Sequence, residues 1–561
     1  MKKTNWLLLV LALVLSMFLA ACSGGGDSSS SDDSNSGDDN SSSDASGDSK
    51  QVLNIMDTAE IPTMDASLAT DTVAFQWLGS TTDGLYRLGK DAKAEPGIAK
   101  SNDVSDDGLT WTFHLRDDAK WSNGDPVTAN DFVYAWQRAV NPDTGSEYGP
   151  YMMGGVIKNA EAIANGDKPV DELGVEAKDD TTFVVTLEKP IPYFKSLTTF
   201  GTFLPLNKKF VEEKGDKYAL EADTLLSNGP FKITEWNHGE GWTLEKNEDY
   251  WDAENVKLKK INVKVVKDTA TGVNLYETGQ VDRTNLSAEF VDQYRSSDDY
   301  KIKEEPTLFY LKINQTANDI LGNVKARKAM QMVIDRKSMV DVILNNGSIP
   351  AVGDVPKNFV KDPESGDDFR DVNGDLVTYD VDKAKKLWNE AKKEVGKDSF
   401  EIEYLGGDTE TAKNMDAYIK DQLEQLDGLT IKVTSVPFKE RLKRDTAMDY
   451  QLQNSGWGPD YIDPNTFLNM WVTDGGNNMT GYSSEKYDNL IKQANDEYAL
   501  EPEKRFQNFL KAEKMLIQDD AVLVPLYQRA LAQLWKPYVK DVQVNPMGAD
   551  YSYKYAYIEG K

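Results

Sequence analysis

Cysteine and histidine are almost missing from this chain of 561 residues, which has one cysteine and two histidines. A single cysteine excludes an intrachain disulfide, so the folded part must be stabilised by its hydrophobic core. The same scarcity excludes zinc sites built from several cysteine and histidine ligands. His114 lies in a strand pattern and His238 in a predicted hairpin turn, and we predict structural roles for both. We therefore expect no metal ion and no other cofactor.

Sequence motifs of the common enzyme classes are missing as well. The chain contains no HExxH, GxSxG or Walker motif and no complete GxGxxG, because Gly239-Glu-Gly241 lacks the third glycine. A Ser–His–acid triad would need one of the two histidines, and neither has a nucleophile motif nearby. Paired carboxylates stay open as an alternative, since no spacing singles out one pair among many acids. We predict that the protein is not an enzyme.

Basic residues are outnumbered, with 63 Lys and Arg against 93 Asp and Glu and a formal net charge of −30. A strongly acidic chain repels nucleic acid and anionic lipid surfaces, so neither is expected as a ligand. The ordinary consequence of this charge is solubility.

Only one long apolar run occurs, and it lies at the amino terminus. Two lysines precede the run Trp6–Leu19, which ends in Leu19-Ala-Ala-Cys22. The run is too short and wrongly flanked for a permanent membrane span, so residues 1–21 are predicted to be a signal peptide. Leu-Ala-Ala-Cys resembles the bacterial lipobox, which implies cleavage before Cys22 and lipidation of its sulfur. An ordinary signal peptide with a chance cysteine is the alternative.

Large apolar residues are absent from Ser23–Ser49, which consists of Ser, Gly, Asp, Asn and one Ala. Such a segment cannot bury enough surface to offset its ordering entropy. We predict that residues 22–50 carry the lipid and form a disordered tether. The remaining part of about 510 residues exceeds what one hydrophobic core usually holds, so at least two domains are expected.

The rest of the chain mixes short strand patterns with helical patterns. Thr128-Ala-Asn-Asp131 resembles a capping box and predicts a helix through Val140. Residues 231–246 predict a β-hairpin, and Val324–Leu344 a helix that ends at Asn345-Asn-Gly347.

The most informative stretch is Phe400–Asp460. Apolar alternation predicts a strand from Phe400, the face from Met415 to Leu426 predicts a helix, and Ile431–Val436 predicts a second strand. This βαβ unit should have parallel strands. A helix at about 439–446 and a strand at 450–454 follow, and that strand leads into Gly456-Trp-Gly-Pro-Asp460. Ligands bind beyond the carboxyl ends of parallel strands, so Asp460 lies where a binding residue is expected.

Ordered sequence blocks from about Ala94 onward share one resemblance. They are Pro96–Lys100, Asp106–Arg116, Trp121–Pro126, Asp131–Trp136, Ser227–Phe231, Asn247–Trp251, Val324–Ala329, Ile334–Arg336, Trp457–Tyr461, Asp463–Phe467, Gly481–Tyr482, Tyr487–Leu490 and Pro525–Tyr527. In this order they resemble the family 5 extracellular solute-binding proteins, particularly the oligopeptide-binding lipoproteins of ABC peptide importers.

The resemblance implies an α/β fold of the bilobed periplasmic-binding-protein type, class II, in its three-domain peptide-binding form. Lobe 1, or domain I, would comprise residues 51–92, 206–312 and 526–561. An inserted domain II would cover 93–205, and lobe 2, or domain III, would cover 313–525. Two crossing segments would join the lobes, which close around ligand by a hinge motion.

The resemblance also implies roles for individual residues. Asp460, the aspartate that follows Trp-x-x, would pair with the α-ammonium of a peptide. Trp457 and Gly458 would line the strand-side wall, and Phe438 and Tyr148 would place aromatic rings against the ligand. A turn cap or an internal ion pair is the alternative for Asp460, and an ordinary core position is the alternative for the two aromatic residues.

One position departs from part of the family. Some members place an arginine three residues before the tryptophan, where it helps to hold the carboxylate of a short peptide, and this chain has Asn454 there. The departure argues against length selection through that contact. It favours longer peptides whose carboxylate lies in solvent or elsewhere.

The function implied is that of a monomeric, lipid-anchored receptor on the extracellular face of the cell membrane. It would capture oligopeptides and deliver them to the permease and ATPase complex of an ABC transporter. A receptor for a dedicated signalling peptide, or for a dipeptide, is the alternative within the family. A secreted hydrolase and a surface adhesin or chaperone are the alternatives from other classes.

Overall fold

The computed structural model describes residues 51–89, 93–191 and 193–561. The predicted signal peptide, the predicted lipidation site at Cys22 and the predicted tether lie outside the described residues. Within the described ranges, no helix combines the length and the apolar character needed to cross a bilayer.

The strands are numbered in chain order. They are β1 (Val52–Asp57), β2 (Tyr86–Leu88), β3 (Ala94–Pro96), β4 (Ala99–Val104), β5 (Thr110–Leu115), β6 (Val175–Asp179), β7 (Thr182–Thr186), β8 (Phe231–Asn237), β9 (Gly241–Lys246), β10 (Lys260–Val265), β11 (Arg283–Asn285), β12 (Tyr300–Ile313), β13 (Ile349–Pro350), β14 (Phe400–Gly407), β15 (Leu429–Val436), β16 (Leu452–Trp457), β17 (Leu523–Trp535), β18 (Val539–Lys540), β19 (Gln543–Val544), β20 (Tyr551–Ser552) and β21 (Tyr557–Ile558).

The α-helices are numbered in the same way. They are α1 (Thr72–Thr81), α2 (Ala129–Val140), α3 (Tyr148–Met153), α4 (Ala160–Ala164), α5 (Phe194–Leu197), α6 (Lys208–Lys214), α7 (Thr269–Glu277), α8 (Ala288–Tyr294), α9 (Asp319–Gly322), α10 (Val324–Val333), α11 (Arg336–Ser338), α12 (Phe369–Asn373), α13 (Val381–Val395), α14 (Glu410–Leu423), α15 (Phe438–Thr446), α16 (Asn465–Leu468), α17 (Glu485–Asn495) and α18 (Pro502–Lys514).

Two four-stranded sheets share one hydrophobic core. One has the order β1-β10-β9-β8, with β1 parallel to β10, and the other is the antiparallel sheet β4-β5-β7-β6. The predicted hairpin is confirmed as β8 and β9. Helix α2 begins at the predicted cap, where the Thr128 N–H donates to Asp131 Oδ2 at 2.8 Å, and it ends at Val140 as predicted. We call the described residues of 51–304 and 530–561 the first lobe.

A larger mixed sheet has the order β11-β17-β12-β16-β14-β15. Its parallel part is the predicted βαβ unit, because β14 pairs with β15 in parallel from Phe400 opposite Leu429 to Gly407 opposite Val436. Helix α14 connects these two strands and buries the predicted apolar face of Met415, Ile419 and Leu423. The prediction of this unit is confirmed. We call residues 308–527 the second lobe.

The long strands β12 and β17 run through both lobes. They pair antiparallel from Tyr300 opposite Leu534 to Lys312 opposite Leu523, with a shift of register between Glu304 and Leu308. Strand pairing is interrupted at such a shift, and a strand bends there more readily than in a regular ladder. The predicted boundaries at 312/313 and 525/526 fall within these strands, and the three-domain division stays a prediction.

One predicted helix is wrong as a single element. Helix α10 ends at Val333, because Ile334 has an extended backbone with ψ of 117°. Asp335 then caps a new turn by accepting a hydrogen bond from the Ser338 N–H at 3.0 Å. The chain continues as a π-helix over Met339–Leu344 and stops at Asn345, which is left-handed. The spacing of apolar residues did not predict this break, because a capping aspartate can restart a helix without changing that spacing.

A buried charge network lies where β12 and β17 lose their register. Lys303 Nζ lies 2.8 Å from a Glu305 oxygen and 3.2 Å from an Asp550 oxygen. The other oxygen of Glu305 accepts a hydrogen bond from Arg529 Nε. Glu305 is only 3% exposed, so its charge is compensated by protein rather than by water.

We expect Glu305→Gln to lower the free energy of unfolding by about 3–5 kcal/mol, because it leaves two buried cations without their shared partner. Urea unfolding of the ligand-free protein measures this change. The control is Lys325→Gln, which breaks half-exposed contacts with Glu390 and Glu394 and should cost less than about 1 kcal/mol. Equal losses in the two variants would contradict the assignment.

Candidate ligand-binding cavity

A cavity of about 510 Å³ lies between the two lobes. The first lobe lines it with Asp71, Phe75, Tyr148 and Phe200, and the second lobe with Phe438, Arg441 and the segment from Asn454 to Asp460, among others. Its volume falls in the range of about 300–1,000 Å³ that is usual for small-ligand sites. The cavity also lies beyond the carboxyl ends of β14, β15 and β16, where α/β sheets bind ligands.

Direct contacts join the two lobes around this cavity. The Tyr148 ring stacks on the Trp457 ring with centroids 5.9 Å apart. The Tyr151 hydroxyl donates to the carbonyl of Thr466 at 3.2 Å, and the Thr446 hydroxyl donates to Glu147 at 2.9 Å. The two lobes are therefore closed on each other.

Asp460 lies in the turn that follows β16 and is 5% exposed. Its backbone N–H donates to the Thr466 hydroxyl at 2.9 Å, which fixes the turn. Among the described residues, no hydrogen-bond partner meets its side-chain Oδ2, although this atom is buried. Burial raises the pKa of Asp460 well above the ordinary carboxyl value, and the opposing effect of hydrogen bonding to Tyr151 and Thr466 is smaller.

A second aspartate in the same turn shows the contrast. Asp463 accepts hydrogen bonds from both terminal nitrogens of the Arg505 guanidinium, one of them at 2.8 Å. Asp463 therefore forms an internal ion pair, which was the alternative considered for Asp460. Asp460 has no such pair with any described residue.

One edge of β16 is open along the cavity. On its first side β16 pairs with β12 from Leu452 to Trp457. On its second side it pairs with β14 only at Leu452 and Gln453, and the strands then separate. The Asn454 carbonyl on this second side accepts a hydrogen bond from Arg441 Nη1 at 2.6 Å. Because backbone groups alternate along a strand, the polar groups of Gly456 face the same open side.

The structure brings all six predicted peptide-binding residues to this one cavity. They are Tyr148, Phe438, Asn454, Trp457, Gly458 and Asp460. Tyr148 also stacks on Phe200, with centroids 5.7 Å apart, and contacts Phe75 at 5.4 Å, so its ring packs as well as lines the wall. The side-chain atoms Asn454 Oδ1 and Trp457 Nε1 are buried without a hydrogen-bond partner among the described residues. Unpaired polar atoms are rare in protein interiors, and here several line one cavity.

Sequence reasoning missed Asp71. It caps α1 by accepting a hydrogen bond from the Ala74 N–H at 2.9 Å, while its other oxygen is buried without a partner among the described residues. Burial raises the pKa of Asp71 to about 7. A capping aspartate before a helix is common, so the sequence offered no sign that its second oxygen would line a cavity.

Arg441 was also missed, although α15 was predicted at nearly its observed position. An arginine on a short polar helix is usually solvated, and only the packing of α15 beside β16 places its guanidinium at the cavity.

A larger groove of about 810 Å³ lies elsewhere between the lobes. Its wall includes the ion pairs Lys189–Asp496 and Arg505–Asp463 and the stacked rings of Tyr193 and Tyr461. Because these charged groups already pair with each other, the groove is a weaker candidate for a ligand-binding site than the smaller cavity.

Metal chemistry receives no support from the part of the chain that the structure describes, where no cluster of three His, Cys, Asp or Glu side chains could hold an ion. His114 Nε2 lies 2.8 Å from Asp103, His238 Nδ1 lies 3.1 Å from Glu60, and neither imidazole lines the cavity.

Two lobes that close on a cavity, joined by two crossing strands, define a bilobed binding protein. Residues 93–479 match the family model described as bacterial extracellular solute-binding proteins, family 5 Middle. The chain belongs to this family, and the predicted family and class II α/β fold are confirmed.

Several known proteins are similar over almost the whole chain. The dipeptide-binding protein DppE of Bacillus subtilis is 34% identical, over 90% of this chain and 91% of DppE. The substrate-binding domain of an oligopeptide ABC transporter from Bacillus anthracis is 48% identical with a TM-score of 0.89, over 91% of this chain and 99% of that domain. Peptide-bound OppA of Listeria monocytogenes is 45% identical with a TM-score of 0.88, over 91% and 100% of the two chains.

At pH 8 we expect ligand-free Asp460→Asn to be more stable than the natural protein by about 1–3 kcal/mol, because the amide removes a buried, unpaired charge. The pKa of Asp460 is raised, so the natural protein loses stability as the pH rises from the ordinary carboxyl value toward the raised one. The advantage of the variant should therefore shrink as the pH falls, as urea unfolding at several pH values would reveal.

The matched control is Asp463→Asn, which removes a carboxylate from the same turn. It should lower stability, since Arg505 loses its partner. A ligand-free Asp460→Asn protein that is less stable than the natural one at pH 8 would contradict the interpretation.

Proposed function

We propose that this protein is an extracellular receptor that captures oligopeptides and delivers them to an ABC importer. The carrying observation is the buried Oδ2 of Asp460, which has no partner among the described residues. The α-ammonium of a peptide supplies a positive charge and three N–H donors to such an oxygen. The names of the similar proteins from three bacteria support a peptide as the ligand.

The open edge of β16 supports recognition of the peptide backbone. An extended peptide beside Asn454–Gly458 would pair with main-chain groups as an added strand. Such pairing is independent of the peptide's side chains, so it permits many sequences. Those side chains would lie against walls formed by Trp457, Gly458, Tyr148 and Phe438.

We propose that the protein binds its peptide without cleaving it. Both histidines are paired with carboxylates, and neither belongs to the cavity lining, so neither is in place to act as a general base there. The raised pKa of Asp460 serves selection of a cation, because an ammonium favours the ionised form.

We also propose the predicted arrangement of the chain at the membrane. Cleavage before Cys22, lipidation of its sulfur and a tether to residue 50 would hold the folded part on the extracellular face. As a monomer, the closed receptor would meet the permease and ATPase complex of its importer. The domain division 51–92, 206–312 and 526–561, with 93–205 and 313–525, belongs to the same proposal.

A dipeptide is a less suitable ligand than an oligopeptide. The open edge from Asn454 to Gly458 extends for about 13 Å, whereas an extended dipeptide spans about 7 Å. A dedicated signalling peptide would fit the same edge. Competition between one bound peptide and a mixed peptide pool distinguishes the two, because a general receptor exchanges its ligand for the pool.

Acetylation of the peptide's amino terminus should weaken binding by about 30-fold or more, because the buried Asp460 carboxylate then has no cation. Calorimetry with a free and an N-acetylated oligopeptide of one sequence measures the difference, and mass spectrometry should recover the peptide intact. In Asp460→Asn the two peptides should bind with nearly equal affinity. Equal binding to the natural protein would contradict recognition of the ammonium, as expected for a chaperone, and cleavage would indicate a hydrolase.

Replacement of Cys22 by Ser should release the protein from the membrane into the medium, because the sulfur that would carry the lipid is gone. Cell fractionation and labelling with a palmitate analogue test this. The control is Ser23→Ala, which should stay labelled and membrane-bound. Membrane retention of Cys22→Ser would contradict the lipid anchor while leaving the peptide site untouched.

A further inference from the structure

Asp71 brings a second buried carboxylate to the cavity, on the opposite lobe from Asp460. Its Oδ1 caps α1 by accepting a hydrogen bond from the Ala74 N–H at 2.9 Å. Its Oδ2 is buried without a hydrogen-bond partner among the described residues, and the whole residue is only 7% exposed. One oxygen therefore serves the helix, and the other is left for a ligand.

The basic residues of the cavity do not neutralise Asp71. Three of them pair with other acids, as Lys267–Asp408, Lys312–Asp445 and Arg529–Glu305. Arg441 donates to the Asn454 carbonyl of the second lobe, and Lys439 is exposed. Burial raises the pKa of Asp71 to about 7, and the charge of Asp57 acts in the same direction. The surroundings of Asp71 therefore favour a cation brought by the ligand.

Three aromatic rings of the first lobe form a wall of the cavity close to Asp71. The Phe75 N–H donates to the Asp71 carbonyl at 3.0 Å, so Phe75 lies one turn further along α1. Its ring contacts Phe200 with centroids 4.6 Å apart and Tyr148 with centroids 5.4 Å apart, and all three rings line the cavity. Aromatic rings pack well against the methylene groups of a lysine side chain and attract its charged end.

Asp71 and Asp460 both lie close to Tyr148. Burial raises the pKa of Tyr148 well above its ordinary value, and the charges of Asp460 and Asp71 raise it further. The Tyr148 ring also stacks on Trp457, which precedes Asp460 by three residues, with centroids 5.9 Å apart. A peptide whose α-ammonium is held at Asp460 would therefore place the side chain of one of its first residues near Asp71.

We propose that Asp71 binds the side-chain ammonium of a lysine near the amino end of the peptide, so that the receptor prefers lysine at one of the first three positions. This inference rests on the proposed function and adds a preference for one side chain to the recognition of a peptide. Because Oδ1 is engaged with Ala74, a single oxygen is available. A lysine ammonium can donate to one oxygen, whereas a guanidinium binds best to both oxygens of a carboxylate. Lysine should therefore bind better than arginine.

The test is a lysine scan by calorimetry. Penta-alanine carries lysine at position 1, 2 or 3, and each peptide is compared with one that carries norleucine there, which keeps the aliphatic chain without the charge. At one position, lysine should bind the natural protein about tenfold or more tightly than norleucine, with arginine in between. In Asp71→Asn this advantage of lysine should fall below about threefold.

Asp268→Asn is the matched control. Asp268 caps α7 as Asp71 caps α1, by accepting a hydrogen bond from the Thr271 N–H at 2.7 Å, but it is exposed and does not line the cavity. This variant removes the same charge from the first lobe and should keep the full advantage of lysine. Asparagine caps helices about as well as aspartate, so both variants should keep their helices. The comparison of lysine with norleucine in the natural protein needs no variant.

Three results would overturn the inference. They are equal binding of lysine and norleucine at all three positions, an advantage of lysine that persists in Asp71→Asn, and an equal loss of affinity for every peptide in that variant. The last result would mean that Asp71 serves the α-ammonium or the fold. N-acetylated penta-alanine separates the two proposals. If acetylation weakens binding strongly while lysine brings no advantage, only the inference fails, whereas an acetylated peptide that binds as well as the free one contradicts the proposed function itself.

Discussion

The carboxylate of Asp460 is taken out of water by the closed lobes and receives no cation from the described part of the protein. A charge in that position is costly, and the cost appears as a raised pKa. The neighbouring residues hold Asp460 in this buried position. The Asp460 N–H donates to the Thr466 hydroxyl, which holds the turn, and β16 leads the chain into it. The Tyr151 hydroxyl donates to the Thr466 carbonyl, and the Tyr151 ring meets the Trp457 ring edge-on. In the proposed function, the incoming ammonium relieves the cost.

The open edge of β16 and the carboxylate divide the task of recognition. In the proposed function, main-chain pairing would recognise that the ligand is a peptide, whereas Asp460 would recognise one of its ends. Neither feature reads a side chain. The register shift between Glu304 and Leu308 lies close to this site along β12, so bending of the strand would change the distance between the two cavity walls.

Local sequence patterns predicted the elements that carry the site. Strict alternation and a single apolar helix face predicted the β14–α14–β15 unit, and the strand that follows it led to Asp460. These features are local, and the rule about carboxyl ends of strands needs only the order of elements. The prediction of one continuous helix over 324–344 was wrong for a local reason as well. A capping aspartate can restart a helix without disturbing the apolar spacing.

Asp71 and Arg441 could not be predicted, because their importance depends on which atoms lack a partner after folding. Asp71 shows only the ordinary sequence sign of a helix cap, and Arg441 only that of a polar helix. Asp445 lies on the same helix as Arg441 but pairs with Lys312 of β12. A short stretch of sequence does not show which side chains, far apart along the chain, will pair with each other after folding.

The stacking of Tyr148 on Trp457 affects how readily the receptor closes without ligand. Two aromatic rings from opposite lobes attract each other whether or not cargo lies between the lobes, so they favour an empty closed receptor. An importer that accepted empty closed receptors would hydrolyse ATP without moving anything. In the proposed function, the unpaired Asp460 carboxylate would oppose such empty closure, because it destabilises the closed form until a peptide binds.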